Sequence, residues 1–347
     1  MIINIVSMKK YILGLSILIA AALCYIGCNE EDFSSREFYE YLVFLLSKED
    51  NNVYSVSHPY VKEGDETIGF FSVGCGGSRP NPDEFTVELE LNNDLFHKYN
   101  RLTFDVDSDK YARLLPVNRY TIERMTVDFP QNNRNQYVKI CVHIDNFGLS
   151  PDSTYFIPLA IKSVSGGYQT NPQKSNMLYR VDVQNYFAES IRRTLYTDRG
   201  KKLFVFNPNV VDISQLIIVH DSLGQVAETK VMKPLSRNSV RVMAGEEKEV
   251  RLGNPTVEEL NKGAMILTVD NNNRVKITPY GTIQIEQIDG LQADGETYWN
   301  IYREERSGMG EFSSYIKYFY LRYRYRTLIV DNNYTPWVYV QTALRKQ

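Results

Sequence analysis

Between Tyr315 and Leu328 the chain alternates strictly. Phe319, Leu321, Tyr323 and Tyr325 fall on one side, and Arg322, Arg324 and Arg326 on the other. A period of two is that of a pleated strand, since a helix would scatter the arginines around its surface. A strand this long, with one aromatic face, needs paired neighbours and an apolar layer to cover it. The same alternation recurs in Phe85–Leu91 and Tyr137–Ile144, where Val138, Ile140, Val142 and Ile144 are expected to point inward. Asp270-Asn-Asn-Asn273 between Ala264–Val269 and Arg274–Thr278 is a hairpin signal, because Asn tolerates positive φ. Pro158, inside the expected strand Tyr155–Ile161, suggests a sheet edge or a bulge. Leu95–Asn100 suggests one helical turn. With 25 tyrosines and 16 phenylalanines against 2 tryptophans, the composition favours pleated, half-buried surfaces. The fold class expected is all-β.

Short strands with frequent turns up to Ile161 read as an immunoglobulin-like β-sandwich. The longer meander after Tyr179 reads as an antiparallel β-barrel or jelly-roll of calycin-like type. Ser165-Gly-Gly-Tyr-Gln-Thr-Asn-Pro172 breaks the strand pattern. The expected division is a sandwich over 37–166, a linker over 167–178 and a barrel over 179–347. A net charge of −3 gives no field that would favour nucleic acid.

Lys9 and Lys10 precede an uncharged run from Tyr11 to Gly27, which reads as an export signal over 1–27. Tyr25-Ile-Gly-Cys28 resembles the lipobox of bacterial lipoproteins, in which the cysteine is acylated and becomes the first residue. Glu30, Glu31 and Asp32 resemble the acidic tag that sends Bacteroidetes lipoproteins to the outer face of the outer membrane. The resemblance implies an acylated tether over 28–36 and a lipid-anchored, extracellular location. A transmembrane anchor with Cys28 incidental is the alternative.

Two groups of segments carry a wider resemblance. Leu95-Phe-His-Lys-Tyr-Asn100, Tyr111–Pro116, Tyr120–Ile122 and Ser153–Ile161 resemble an N-terminal domain of Bacteroidetes surface lipoproteins. That domain also stands ahead of some family 18 endo-β-N-acetylglucosaminidases. Lys233–Gly245 and Lys317–Tyr325 resemble the domain of unassigned function that often follows it. Such lipoproteins belong to polysaccharide-utilisation loci beside SusC/SusD-like transporters. The resemblance implies glycan capture, with a structural or adhesive role toward a protein partner as the alternative.

Catalytic signatures are absent from the sequence. His58, His97, His143 and His220 show no zinc spacing, and no Gly-x-Ser-x-Gly elbow occurs. Asp105-Val-Asp-Ser-Asp109 begins like a calcium loop, but Lys110 replaces the required Gly. The adjacent Glu304 and Glu305 point apart on a strand. The expectation is a non-catalytic binder with no cofactor and no metal. Flat π-faces suit sugar rings, so the candidate contacts are Trp299 and Trp337 with Tyr298, Tyr302 and Tyr334. Arg322 and Arg324 are added as polar donors from the basic face. Their bland alternative is a cross-strand ladder with Glu286, Glu304 or Glu305.

Overall fold

The computed structural model describes residues 41–62, 65–144, 149–205, 217–218, 228–245, 255–330 and 332–347. Cys28, Glu30, Glu31 and Asp32 lie outside the described residues. No helix among the described residues is long and apolar enough to cross a membrane.

The first half is a sandwich of two sheets. Its strands are β1 (Leu42–Leu45), β2 (Val53–Pro59), β3 (Thr67–Cys75), β4 (Phe85–Leu91), β5 (Tyr120–Ile122), β6 (Thr126–Phe129), β7 (Asn135–Val142), β8 (Tyr155–Val164) and β9 (Asn176–Gln184). One sheet runs β1-β3-β7-β5, with Gln169–Thr170 pairing on β1; the other runs β2-β9-β8-β4-β6. Alternation decides what each strand buries. Phe85, Val87 and Leu89 of β4 and Val138, Ile140 and Val142 of β7 are all in the core, as is Ile144 just beyond. Each such side chain contributes about 1.5–3 kcal/mol of burial.

Three expectations are corrected here. The segment 167–178 is not a linker. Gln169–Thr170 adds to β1, and β9, which begins at Asn176, lies between β2 and β8. Met177, Tyr179, Val181 and Val183 belong to the sandwich core, so the first half extends to Gln184. The turn formers that suggested a break make a tight return between two strands of one sandwich. Pro158 is not at an edge, because β8 is central. Its carbonyl accepts from the Asn92 amide at 3.3 Å, just past the end of β4. The N–H that proline lacks would point to that same side, at the very end of the β4–β8 ladder, where its loss costs least. The helical turn at Leu95–Asn100 grows into α1 (Asp94–Phe104). It is pinned by the buried Asn100, whose amide donates to Ala112 O at 3.1 Å and whose Oδ1 accepts from the Ala112 amide at 2.8 Å.

The sandwich core holds a polar pin of its own. His58 is fully buried, with Nε2 3.0 Å from the Tyr179 hydroxyl and Nδ1 3.3 Å from Thr67 Oγ1. Gly69 makes room for it, since a Cβ there would sit 2.0 Å from the Tyr179 oxygen. Burial pushes the His58 pKa down to about 4.

The second half is one sheet that curls on itself. Its strands are β10 (Thr194–Val205), β11 (Glu228–Pro234), β12 (Ser239–Met243), β13 (Ala264–Val269), β14 (Val275–Pro279), β15 (Gln284–Gln287), β16 (Ile301–Ser307), β17 (Ser314–Arg326) and β18 (Trp337–Lys346). The order is β14-β13-β12-β11-β10-β18-β17, and β15 and β16 pair with successive parts of the free edge of β17. The ring closes where the Val275 amide donates to Asn300 O at 2.8 Å and the Tyr302 amide to Asn273 O at 2.8 Å. This near-closure leaves little exposed edge. Asn273, at φ 61, makes the expected hairpin turn.

The barrel interior is filled. Phe319, Leu321 and Tyr323 of β17 are fully buried against Met232, Val240, Met265 and Leu267. At one end, Lys230 donates to Met243 O at 3.0 Å and lies 3.5 Å from Asp198 Oδ2, while Asp198 Oδ1 accepts from Thr342 Oγ1. The cavity beside that network holds about 10 Å³, no more than a single water needs.

The halves touch through Arg241 of β12, 2% exposed, which forms an ion pair with Asp152 of the sandwich and lies 5.5 Å from the Tyr280 ring. The Asn185 amide donates to Ser236 O and Ser239 O at 2.7 and 2.8 Å.

Candidate ligand-binding face of the barrel

A filled barrel directs recognition to its outer surface. There the second face of β17 carries Arg322, Arg324 and Arg326, as its alternation requires. Cross-strand register sets Arg324 opposite Tyr339 of β18 and Glu286 of β15, and Arg326 opposite Gln284. Trp337, the first residue of β18, stands beside them. Its ring centroid is 4.4 Å from the Arg324 guanidinium and 4.6 Å from that of Arg326. Arg326 also lies over Tyr334 at 4.9 Å. Trp337 and Tyr334 are half-buried.

The two arginines differ in what they have left to offer. Arg324 has a partner on every nitrogen: Nε donates to Glu286 at 2.7 Å, Nη2 donates to the same carboxylate, and Nη1 donates to the Tyr339 hydroxyl at 2.8 Å. Arg326 spends only Nε, on Gln284 Oε1 at 2.6 Å. Among the described residues its two terminal nitrogens have no partner. A guanidinium stacked on an aromatic ring keeps its N–H edge available for a bidentate acceptor. Arg324 therefore positions the indole, and Arg326 presents donors beside it.

Arg322 lies further along, facing the loop between β15 and β16. Asn300, 1% exposed and at φ 59, ties that loop down. Its Oδ1 accepts from the Arg322 amide at 2.8 Å, and its Nδ2 donates to Ile288 O at 3.0 Å. The Arg322 Nε is buried without a partner.

The sequence candidates thus divide. Trp337, Tyr334 and Arg324 come together, with Arg326 as the open donor. Trp299 is on the loop and not on a strand, since β16 begins at Ile301; its amide donates to Gly290 O at 2.9 Å. Tyr298, on the same loop, is covered by the Arg274 guanidinium at 3.9 Å. Tyr302 is corrected: it is 4% exposed in the barrel core, packed on Phe187 and Phe319 at 5.0 and 5.2 Å. Of the acidic partners considered for the ladder, Glu286 alone pairs with its arginines. Glu304 accepts from Tyr186 and Tyr302, and those hydrogen bonds lower its pKa. Glu305 accepts from Tyr320 at 2.5 Å. Tyr339 and Gln284 were not legible as site residues; only the register across β15, β17 and β18 reveals them.

No cluster of metal-ligating side chains occurs among the described residues. Cys75 and Cys141 are buried free thiols, and burial raises both pKa values.

A sandwich followed by a nearly closed barrel defines a class of two-domain β-protein. Family models confirm and narrow that class. One describing an N-terminal domain matches residues 38–167, and one describing a C-terminal domain matches 175–345. The chain carries the paired N-terminal and C-terminal domains that these two models describe. A Bacteroides ovatus protein of unknown function is similar over 88% of this chain and 94% of its own, with TM-score 0.62 and 13% identity. A second protein from that organism covers 88% and 91%, with TM-score 0.58 and 15% identity. An auxiliary nutrient binding protein from Bacteroides thetaiotaomicron covers 86% and 93%, with TM-score 0.57 and 12% identity. At these identities the likeness is one of fold. The search of curated proteins finds no match.

Proposed function

We propose that this protein is a non-catalytic lipoprotein of the outer-membrane surface. In this reading Cys28 carries the lipid, and Glu30, Glu31 and Asp32 direct export. The protein binds an acidic glycan on the barrel face and assists its capture by a SusC/SusD-like transporter. The observation that carries the binding role is Arg326, stacked on Trp337 with its terminal nitrogens unspent. A carboxylate or sulfate on the glycan would accept both N–H groups, while an adjacent sugar ring covers what the indole and Tyr334 leave open. The nutrient-binding neighbour is in keeping with this role.

The test is a glycan array probed with the chain from residue 29 onward. Wild type should retain uronate-bearing or sulfated glycans above neutral ones, and Arg326→Gln should lose about ten-fold in affinity, the usual worth of one charge-assisted pair. Equal retention by wild type and Arg326→Gln would remove the barrel face from the mechanism.

A further inference from the structure

The sandwich carries a cleft of a different kind. A cavity of about 340 Å³ is lined by Tyr41, Pro82, Asp83, Gly166–Gly167, Tyr168 and Gln169. A second, of about 280 Å³, lies along the other side of the same two chain segments, next to Glu84, Asp128 and Ser165. Three rings connect them. Phe129 stacks on Phe85 at 4.5 Å and 12°, and Phe85 stacks on Tyr168 at 4.2 Å and 26°. Tyr41 meets Tyr168 edge-on at 5.6 Å. A column of rings thus runs from the sandwich core to the cleft.

The backbone keeps the cleft open. Gly166 and Gly167 both have positive φ, 71° and 76°. A Cβ on Gly166 would press on Phe85 and Tyr168, whereas one on Gly167 would meet nothing within 4 Å. Asp83 supplies acceptors and Gln169 both donors and acceptors to the first cavity, Glu84 and Asp128 supply acceptors to the second, and no cation among the described residues lines either. Glu84 and Asp128 border the second cavity, and the Asp128 carboxylate accepts from Thr86.

We infer that the Tyr41–Tyr168 cleft is a second binding site, which takes a neutral pyranose unit. Three features favour this occupant. The volume lies at the small end of ordinary ligand pockets. Tyrosine rings fit the C–H-rich face of a sugar. Carboxylate and amide oxygens accept from hydroxyls, while the Asp83 carboxylate on the cleft wall repels an acidic sugar. The site goes beyond the barrel-face reading and does not depend on it.

The experiment is saturation-transfer NMR on the chain from residue 29 onward, with cellobiose, lactose and mannobiose as neutral probes and glucuronate as the acidic one. At least one neutral disaccharide should receive saturation on its ring protons. Tyr41→Ala and Gly167→Asn should each reduce that transfer about five-fold, the asparagine filling the mouth in a backbone region that it tolerates. Arg326→Gln should leave it unchanged, which separates failure of this site from failure of the barrel face. Absence of transfer from all three disaccharides, or equal transfer in Tyr41→Ala and wild type, would overturn the inference. So would stronger transfer to glucuronate that Tyr41→Ala removes.

Discussion

The two halves of this molecule solve the same burial problem with opposite consequences for recognition. The sandwich covers each sheet with the other and leaves the ends of its core open to solvent. There the Phe129–Phe85–Tyr168 column reaches a cleft bordered by the Asp83 carboxylate. The barrel closes one sheet on itself and fills its interior with Phe319, Leu321 and Tyr323. Its available chemistry is therefore on the outside, where the alternation of β17 lays out arginines beside Trp337. Aromatic rings dominate both surfaces, but the sign of the neighbouring charge differs. The comparison teaches that closure, more than composition, decides whether a β-domain offers a cleft or a face.

The largest effect that could break this comparison is at the boundary. A fragment ending at Ser165 lacks β9, which leaves β2 without its partner and β8 paired on its β4 side alone, so it should show no cooperative thermal transition. One ending near Tyr186 should melt cooperatively. A cooperative melt of the shorter fragment would mean that β9 belongs energetically to the barrel.

The contact between the halves comes next. Asp152→Asn neutralises the carboxylate that pairs with the buried Arg241 guanidinium, and breaking such a pair costs up to about 3 kcal/mol. Urea unfolding of the full chain should show the loss in the barrel transition. An unchanged midpoint would mean that the halves are energetically independent.

His58 marks the sandwich alone. Its folded pKa of about 4 lies below the usual 6.5, so between those values the unfolded chain binds the extra proton. The neutral imidazole's full contribution is present above pH 6.5, and stability falls as the pH drops from 6.5 to 4. The integrated loss is about 3 kcal/mol at most. His58→Gln should flatten the pH dependence of the sandwich transition. A profile identical to wild type would assign the acid sensitivity to other groups.

The smallest effect sharpens the difference between the two arginines. Arg324→Gln gives up its pair with Glu286 and its bond to Tyr339, and should cost about 1 kcal/mol because the pair is partly solvated. Arg326→Gln should move the melting curve less than that while reducing acidic-glycan retention more. The reverse ranking would make Arg326 the structural member.

Much of this fold is written locally. The β4 limits Phe85–Leu91, the inward set of β7, the Asp270–Asn273 hairpin and the two faces of β17 all follow from period two and turn chemistry, which act over a few residues. The capping box of the short helix α2 (Val257–Gly263), formed by Thr256 and Glu259, is legible in the same way. Tertiary structure alone decided the rest. The segment Ser165–Pro172 has the composition of a linker, yet it is a turn inside the sandwich, because β9 pairs with strands more than a hundred residues earlier as well as with β8. Tyr302 and Tyr334 are the same residue type in similar surroundings, and only barrel closure buries one and leaves the other beside Arg326. Arg324 and Arg326 cannot be told apart along the strand. They differ because register sets Glu286 and Tyr339 against the first and only Gln284 against the second, and register is a property of three strands, not of one.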